Sequence, residues 1–358
     1  MAGDGSHCAC RTVPQTIDGD TLLLRASNNH SFEVIDRVLA TAGARFDRRD
    51  QVREIRTGSV NALVLELAAA LTRPERRAIR CLVLRRVSYS GAGLGDAALG
   101  ALDLDTLAAR IRYRHLADLA AHPERFYSRY QPLIDLESSE TVGFEALLRA
   151  SDEQGNEISA GALFGAAAAG GWTDLLDRIG RETAITDAAG WLGDRQLFIN
   201  FVPTSIYRPE VCLTTTIAAA RRSGVPLEQL VFEVVESHRT DDPEHLLGIV
   251  GQCRAQGAKV ALDDVGTGYS TLALVARLRP DVVKVDMELV QQLPDPVAST
   301  IVGSIVELSH GIGARVIAEG IETVEQAAAV MGLGIDLGQG WLYGRPALPA
   351  EVRETRTV

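Results

Sequence analysis

After residue 125, the sequence repeats one pattern, in which a short apolar run ends in a polar residue and a helical-looking segment follows. Such runs are typical of buried strands, and their alternation with helices predicts a parallel sheet. Seven or eight such units fit a single β/α barrel of the TIM type, whose functional sites lie at the carboxyl ends of the strands. We expect that rim to collect eight side chains: Glu145, Asn200, Glu233, Asp263, Asp264, Lys284, Glu319 and Gln339.

The adjacent acids Asp263 and Asp264 end one apolar run and lead directly into a glycine-rich loop. Two neighbouring carboxylates at a buried strand end are costly unless a cation holds them, although a solvated acidic turn would also fit this stretch. Within the rim, five carboxylates and the carboxamide of Asn200 form an oxygen-rich set, which suits Mg²⁺ or Mn²⁺ better than zinc. Because one ion rarely needs so many acids, we expect two ions that share a bridging carboxylate.

Lysine is rare in this chain, which has 36 Lys and Arg residues but lysine only at Lys259 and Lys284. A lysine on a strand inside an acidic cluster indicates a need for a compact ammonium or a proton that can be exchanged. A chance surface position fits Lys259 better, because it follows Gly257 and precedes the strand.

The segment 126–350 resembles the EAL-domain cyclic di-GMP phosphodiesterases, and the signature tripeptide is intact as Glu145-Ala146-Leu147. The resemblance is carried by seven stretches: YQPLIDL (130–136), EALLR (145–149), FEVVE (232–236), DDVGTGYSTL (263–272), VKVD (283–286), VIAEGIET (316–323) and QGWLYGRP (339–346). Val265 and Met287 depart from the family pattern, but neither replaces a candidate ligand. The resemblance implies a modified (β/α)8 barrel that hydrolyses cyclic di-GMP to linear pGpG with two Mg²⁺ or Mn²⁺ ions. It also implies a homodimer formed through the barrel.

The resemblance further assigns roles to individual residues. Six residues would bind metal: Glu145, Asn200, Glu233, Asp263, Asp264 and Glu319. Glu145, Lys284 and Glu319 would be catalytic, with Lys284 holding or polarising the attacking water. Six would contact substrate: Gln131, Leu148, Arg149, Asp177, Gln339 and Pro346. Glu236 would clamp the loop that contains Gly266, Thr267 and Gly268. For Gln131 and Asp177, an ordinary surface position is the alternative. Calcium, which prefers longer and looser coordination, is expected to occupy the site and inhibit turnover.

Charge and composition bound the remaining properties. The net charge of −11 argues against polymeric nucleic acid as a partner. Because no apolar run approaches ~20 residues, no membrane span is expected. The polar N-terminus does not resemble a secretory signal, and five scattered cysteines argue against a disulfide framework. Together these features predict a cytoplasmic location.

The sequence before the barrel predicts a second, smaller α/β domain. We expect a flexible tail at 1–13, this domain at 14–112, a helical linker at 113–125, the barrel at 126–350 and a C-terminal tail at 351–358. The predicted elements are strands at 21–24 and 81–84, helices at 32–42 and 102–121, and either a buried helix or a strand-helix pair at 60–71. A regulatory or dimerising role is expected for the domain, and a structural cap is the alternative. Cys8 and Cys10 suggest an exposed, redox-active tail, with metal binding as the other possibility.

Two other functions remain open at this point. A catalytically silent cyclic di-GMP receptor would carry the same residues and signal through its N-terminal domain. An unrelated metal-dependent barrel enzyme that abstracts a proton beside a carboxylate fits less well, because Arg149 and the Asp263-Asp264 pair suit a phosphate substrate.

Overall fold

The computed structural model describes residues 9–13, 17–49, 51–84, 101–235, 242–266 and 271–354. The chain divides into two compact units. An amino-terminal unit contains residues 13–122 and 161–173, and a barrel unit contains residues 1–12, 123–160 and 174–358.

The amino-terminal unit is built on five strands: β1 (Thr21–Arg25), β2 (Arg45–Arg49), β3 (Val52–Arg56), β4 (Arg80–Leu84) and β5 (Leu102–Asp103). They form an antiparallel sheet in the order β2-β3-β1-β4-β5. Its helices are α1 (Asn29–Thr41), α2 (Val60–Ala70), α3 (Arg73–Ala78), α4 (Leu104–Arg112), α5 (Arg114–Leu119) and, from its second residue onward, α6 (Ala160–Gly170). The expected small α/β region is therefore confirmed.

Helix ends in this unit follow local chemistry. Helix α1 begins three residues before the predicted position because Asn28 accepts a hydrogen bond from the amide of Ser31 at 2.8 Å. The expectation of one helix over 102–121 is wrong. Residues 102–103 form β5, and Tyr113, at φ −102° and ψ 22°, leaves the helical region and separates α4 from α5.

Nine strands form the sheet of the barrel unit: β6 (Phe126–Asp135), β7 (Thr141–Ser151), β8 (Glu157–Ser159), β9 (Gln196–Phe201), β10 (Leu230–Val235), β11 (Lys259–Val265), β12 (Val282–Val285), β13 (Arg315–Ala318) and β14 (Leu337–Gly338). All except β8 close into an eight-stranded barrel, which confirms the predicted fold class. The expectation of a fully parallel sheet is wrong for β6, which is antiparallel to both β7 and β14. The five residues between β6 and β7 allow a tight turn but not the dozen or so that a parallel crossover needs.

The remaining helices belong to the barrel unit: α7 (Thr173–Ala188), α8 (Pro209–Cys212), α9 (Thr214–Ser223), α10 (Pro243–Ala255), α11 (Thr271–Leu278), α12 (Met287–Val290), α13 (Pro296–Gly311), α14 (Val324–Gly332) and α15 (Pro349–Glu354). The sequence pattern predicts six helices in this segment, and each appears with ends within one residue of expectation: 172–189, 214–223, 242–256, 270–278, 297–310 and 323–331. Asp242, Asp295 and Thr323 cap three of them by accepting backbone amide hydrogen bonds. Within the described residues, no helix is both long enough and apolar enough to cross a bilayer.

The amino-terminal tail differs from expectation in its exposure. Cys10 lies in a short 3₁₀ turn (Ala9–Arg11), is only 5% exposed, and its carbonyl oxygen accepts a hydrogen bond from Nε of Arg178 at 2.7 Å. The prediction of an exposed tail is therefore wrong for Cys10. Cys8 lies outside the described residues. The four described cysteines, Cys10, Cys81, Cys212 and Cys253, are buried and are not joined by disulfides.

Candidate metal centre

The floor of the barrel is an apolar layer inside the strands. Seven side chains form it: Leu133, Phe198, Val231, Ala261, Val282, Ile317 and Leu337. In β7 the corresponding position is Gly143, where an added Cβ would lie 3.2 Å from the ring of Phe198. The absent side chain therefore leaves room for that ring.

A polar ring lies one pleat above this floor. Because alternate residues of a strand face the same side, the residue two positions nearer the rim also points inward. Those positions are occupied by Gln131, Glu145, Asn200, Glu233, Asp263, Lys284, Glu319 and Gln339. Strand periodicity alone thus converts eight separate sequence positions into one layer.

Lys284 is the centre of this ring and is 1% exposed. Its Nζ lies 2.6 Å from Oε1 of Glu319 and 2.8 Å from Oε1 of Glu233. The same atom is 3.0 Å from Oδ1 of Asp263 and 3.7 Å from Oε2 of Glu145. One ammonium therefore faces four carboxylates that come from four different strands.

Three carboxamides complete the ring around Glu145. Asn200 donates to Oε1 of Glu145 at 2.9 Å, and Gln339 donates to Oε2 at 2.6 Å. Nε2 of Gln339 also lies 3.1 Å from Oε1 of Gln131, which stands opposite Glu145 in the antiparallel pairing of β6 and β7. Glu145 is held at both oxygens, and this fixes the plane of its carboxylate.

Asp264 joins the ring through a break in strand regularity. Its neighbour Asp263 already faces inward, so a regular strand would point Asp264 outward. The pairing of β11 with β12 slips by one residue between Leu262 and Val265, and Asp264 adopts a left-handed φ of 56°. This β-bulge lets both carboxylates reach one place, since oxygens of Asp263, Asp264 and Glu319 lie within 4.8 Å of one another.

Three acids of this site resist ionisation in the absence of cations. Burial raises the pKa of Glu233 well above its ordinary value, and Lys284 does not overcome that effect. Burial and the charge of Asp263 raise the pKa of Glu319 to about 8, against the opposing effect of Lys284. Burial, followed by the charge of Asp263, raises the pKa of Asp264 to about 6.

Glu145 and Lys284 respond in the opposite way. Burial acts to raise the pKa of Glu145, but Lys284 and the amides of Gln339 and Asn200 hold it below its ordinary value. Burial alone would lower the pKa of Lys284, but the carboxylates led by Asp263 and Glu145 raise it well above its ordinary value. Lys284 therefore stays an ammonium, and Glu145 stays a carboxylate.

The donor set fits divalent cations. Five carboxylates and one ammonium leave four negative charges when all are ionised, and two divalent cations carry the same charge. Oε2 of Glu233 and Oε1 of Gln339 are buried without a hydrogen-bond partner among the described residues, so acceptors remain for a cation. The acceptors of the ring are carboxylate and amide oxygens, which suit Mg²⁺ or Mn²⁺.

Comparison with known proteins assigns this site to a family. The family model for the EAL domain matches residues 116–346. The chain belongs to the EAL domain family. An uncharacterized protein of Azorhizobium caulinodans is 33% identical over 263 residues, which are 71% of this chain and 35% of that protein. The probable cyclic di-GMP phosphodiesterase PdeB of Escherichia coli is 30% identical and aligns over 62% of this chain and 42% of its own length.

A solved EAL structure shows the same fold. The standalone EAL protein of Vibrio cholerae O395, in its c-di-GMP-bound form, is 31% identical with a TM-score of 0.56. The match covers 63% of this chain and 93% of that one. The chain spans about a third of the length of the curated relatives it matches.

Three predicted substrate residues lie on β6, on β7 and in the segment after β14. Arg149 follows Glu145 by four residues on β7, and its Nε lies 3.4 Å from Oε1 of Glu157. Gln131 donates to the carbonyl of Gly344 at 3.2 Å, which ties the segment before Pro346 to β6. Pro346 is half-buried in that segment.

The other two predicted contacts lie away from the interior of the barrel. Leu148 is 7% exposed, and the pleat points it to the outer face, 3.5 Å from where a Cβ on Gly180 of α7 would lie. Asp177 is 2% exposed, pairs with Arg181 and accepts a hydrogen bond from the amide of Val202 at 2.8 Å. The geometry gives no support for substrate contact by either side chain, and that role stays a prediction.

The loop after β11 is described only at its start. Gly266 has φ 121°, and a Cβ there would lie 2.2 Å from Cδ1 of Leu289, so glycine is required. The predicted clamp residue Glu236 and its loop partners Thr267 and Gly268 lie outside the described residues.

Sequence reasoning missed Arg181, which is a fully buried charge behind β9. Its spacing of four residues from Asp177 on a helix is the signal that pairs them. The spacing is easy to overlook, because the apolar residues on both sides are typical of an ordinary amphipathic helix.

Proposed function

We propose that this chain hydrolyses cyclic di-GMP to linear pGpG with two Mg²⁺ or Mn²⁺ ions. The observation that carries the proposal is the buried ring itself. When all of its acids are ionised, its net negative charge equals the positive charge of two divalent cations. Membership of the EAL domain family and the similarity to a probable cyclic di-GMP phosphodiesterase support the choice of substrate.

Six oxygen-bearing residues would hold the ions: Glu145, Asn200, Glu233, Asp263, Asp264 and Glu319. Bound at this place, the metals would lower the pKa of a water ligand and offset the charge of the phosphodiester. The geometry of the ring supports different roles for these residues. Glu145 is positioned by two amides, whereas Asp263, Asp264 and Glu319 approach one another closely.

Lys284 and Glu319 would handle the attacking water. Lys284 remains an ammonium, so Nζ is suited to donate a hydrogen bond that orients the water. Oε1 of Glu319, 2.6 Å from that nitrogen, is the neighbouring atom able to accept a proton. Gln339 would keep Glu145 in its orientation throughout.

Arg149 would bind a phosphate of the substrate. The Arg149 side chain is 17% exposed, its Nε lies 3.4 Å from Oε1 of Glu157, and its Nη1 donates to the carbonyl of Leu148 at 2.8 Å. A phosphodiester would pair with the guanidinium in place of the carboxylate of Glu157. Gln131 and Pro346 would complete the contact surface.

The test is hydrolysis by metal-free protein with and without added Mn²⁺. Cyclic di-GMP and linear pGpG are separated by ion-exchange chromatography, and Glu145→Gln serves as the site variant. Glu244→Gln, at a side chain 78% exposed, is the matched control. We expect turnover that requires Mn²⁺, is retained in the control and falls at least about 100-fold in Glu145→Gln.

Tight cyclic di-GMP binding without linear product would overturn the hydrolase proposal and favour the silent receptor. Absence of both binding and turnover, with proton exchange on a carboxylic acid, would favour the unrelated barrel enzyme. Homodimer formation through the barrel and a regulatory role for the amino-terminal unit stay predictions.

A further inference from the structure

Behind the metal centre, a buried ion pair holds the end of strand β9. The carboxylate of Asp177 on α7 pairs through Oδ2 with Nη1 of Arg181, and Oδ1 accepts the amide hydrogen of Val202 at 2.8 Å. Nε of Arg181 donates to Oγ1 of Thr216 on α9 at 3.1 Å. Helix α7 is thereby joined to the strand end through Asp177 and to α9 through Arg181.

Asn200, the candidate ligand on this strand, lies where the sheet supports β9 from one side only. The pairing of β9 with β7 ends at Ile199, whereas its pairing with β10 continues through Asn200 to Phe201. The next amide, that of Val202, is the one that Asp177 holds. The position of Asn200 therefore depends on a contact beyond the sheet.

Arg181 has few other groups with which it could pair. It is 2% exposed, and Asp177 and Thr216 are 2% and 1% exposed. Besides these two, the carboxylate of Glu182 is the charged group that acts on it electrostatically. Loss of the guanidinium would leave Asp177 buried without its cation, and the carboxylate would have to find new donors.

We propose that Arg181 is a positioning residue for the metal centre, acting through Asp177 and Val202 on Asn200. The inference rests on the proposed metal site. It assigns Asp177 to support of the strand and not to contact with the substrate.

The experiment compares Mn²⁺ affinity and hydrolysis in variants of the whole chain. Mn²⁺ binding to metal-free protein is measured by titration calorimetry, and folding is verified by circular dichroism. In Arg181→Met we expect Mn²⁺ affinity and kcat to fall about tenfold, while KM for cyclic di-GMP stays within about twofold. Arg181→Lys should be intermediate, because an ammonium can pair with Asp177 but lacks the fork that also reaches Thr216.

Arg178→Met is the matched control, since Arg178 lies on the same helix but contacts Glu182 and the carbonyl of Cys10. Its Mn²⁺ affinity should remain within twofold of wild type. A folded Arg181→Met protein with wild-type Mn²⁺ affinity would overturn the inference. If that variant does not fold, the Mn²⁺ affinities of Thr216→Val and Arg181→Lys test the inference instead. Unchanged affinity in both would overturn the inference.

Two further outcomes separate this inference from the proposed function. Wild-type protein that binds Mn²⁺ but releases no pGpG would contradict the hydrolase proposal. The Mn²⁺ affinities of the Arg181 variants and the wild type would still test the role of Arg181. Asp177→Asn with a raised KM and unchanged Mn²⁺ affinity would place Asp177 at the substrate and refute the positioning role.

Discussion

Replacing Lys284 by methionine removes the one ammonium from a ring of buried carboxylates while keeping the length of the side chain. Three of its contacts are 3.0 Å or shorter. At an effective dielectric constant of 20, each ionised contact contributes about 5 kcal/mol before desolvation is counted. Burial of the ammonium offsets most of this, and loss of one partner of a buried charge cluster typically costs about 3–5 kcal/mol. For a domain of this size that corresponds to a fall in Tm of roughly 10 °C.

The size of this loss should depend on pH. Asp264 and Glu319, with pKa values raised to about 6 and about 8, bind protons more tightly in the folded protein than in the unfolded chain. They are therefore protonated in the folded state at pH 5 and ionised at pH 9, so the ammonium has more charge to offset at pH 9. The same sign means that metal-free wild-type protein loses stability as pH rises through this window.

The assay is thermal unfolding of metal-free protein at pH 5 and pH 9, followed by circular dichroism. Lys259→Met is the control, because the other lysine of the chain is exposed. We expect a large loss of Tm for Lys284→Met at pH 9, a smaller loss at pH 5 and little change for Lys259→Met. Equal losses at both pH values, or a loss no greater than in the control, would refute the electrostatic reasoning.

Other perturbations of the site have defined outcomes. Mn²⁺ should raise the Tm of wild-type protein more at pH 8.5 than at pH 5.5, because Asp264 and Glu319 must release protons to bind a cation; a pH-independent gain would contradict this. Calcium should bind, as measured by calorimetry, yet support little hydrolysis, and turnover equal to that with Mg²⁺ would show the expected coordination geometry to be wrong. Gly266→Ala should destabilise the protein by about 1–3 kcal/mol in denaturant unfolding, because the new methyl meets Leu289 in a strained backbone conformation; unchanged stability would mean that the loop relaxes freely.

Strand periodicity explains why so much of the barrel was predictable from the sequence. In each strand the polar ring residue lies two positions from the inward-facing apolar residue of the floor. This spacing can be read from the sequence, because it does not depend on contacts with other strands. The helix ends were predictable for a similar reason, since capping residues such as Asp295 and Thr323 act locally. Seven of the eight predicted rim residues follow from this spacing, whereas Asp264, which comes directly after Asp263, does not.

What could not be predicted depends on contacts between distant segments. The direction of β6 follows from a tight turn whose residues resemble many other loops. The bulge at Asp264 requires knowledge of the pairing with β12, because only the mismatch of the two strands reveals the extra residue. Burial of Cys10 depends on Arg178, more than 160 residues away along the chain.

The two-residue step between the apolar floor and the polar ring has a consequence for how such barrels can diverge. An insertion or deletion of one residue within that step would turn a ligand toward the helices and leave a hydrocarbon among the acids. Length changes are tolerable only outside it, in the turns and helices that link the strands. Related chains can therefore change the surface and the regulatory segments freely. The step from each floor residue to its ligand must stay at two positions.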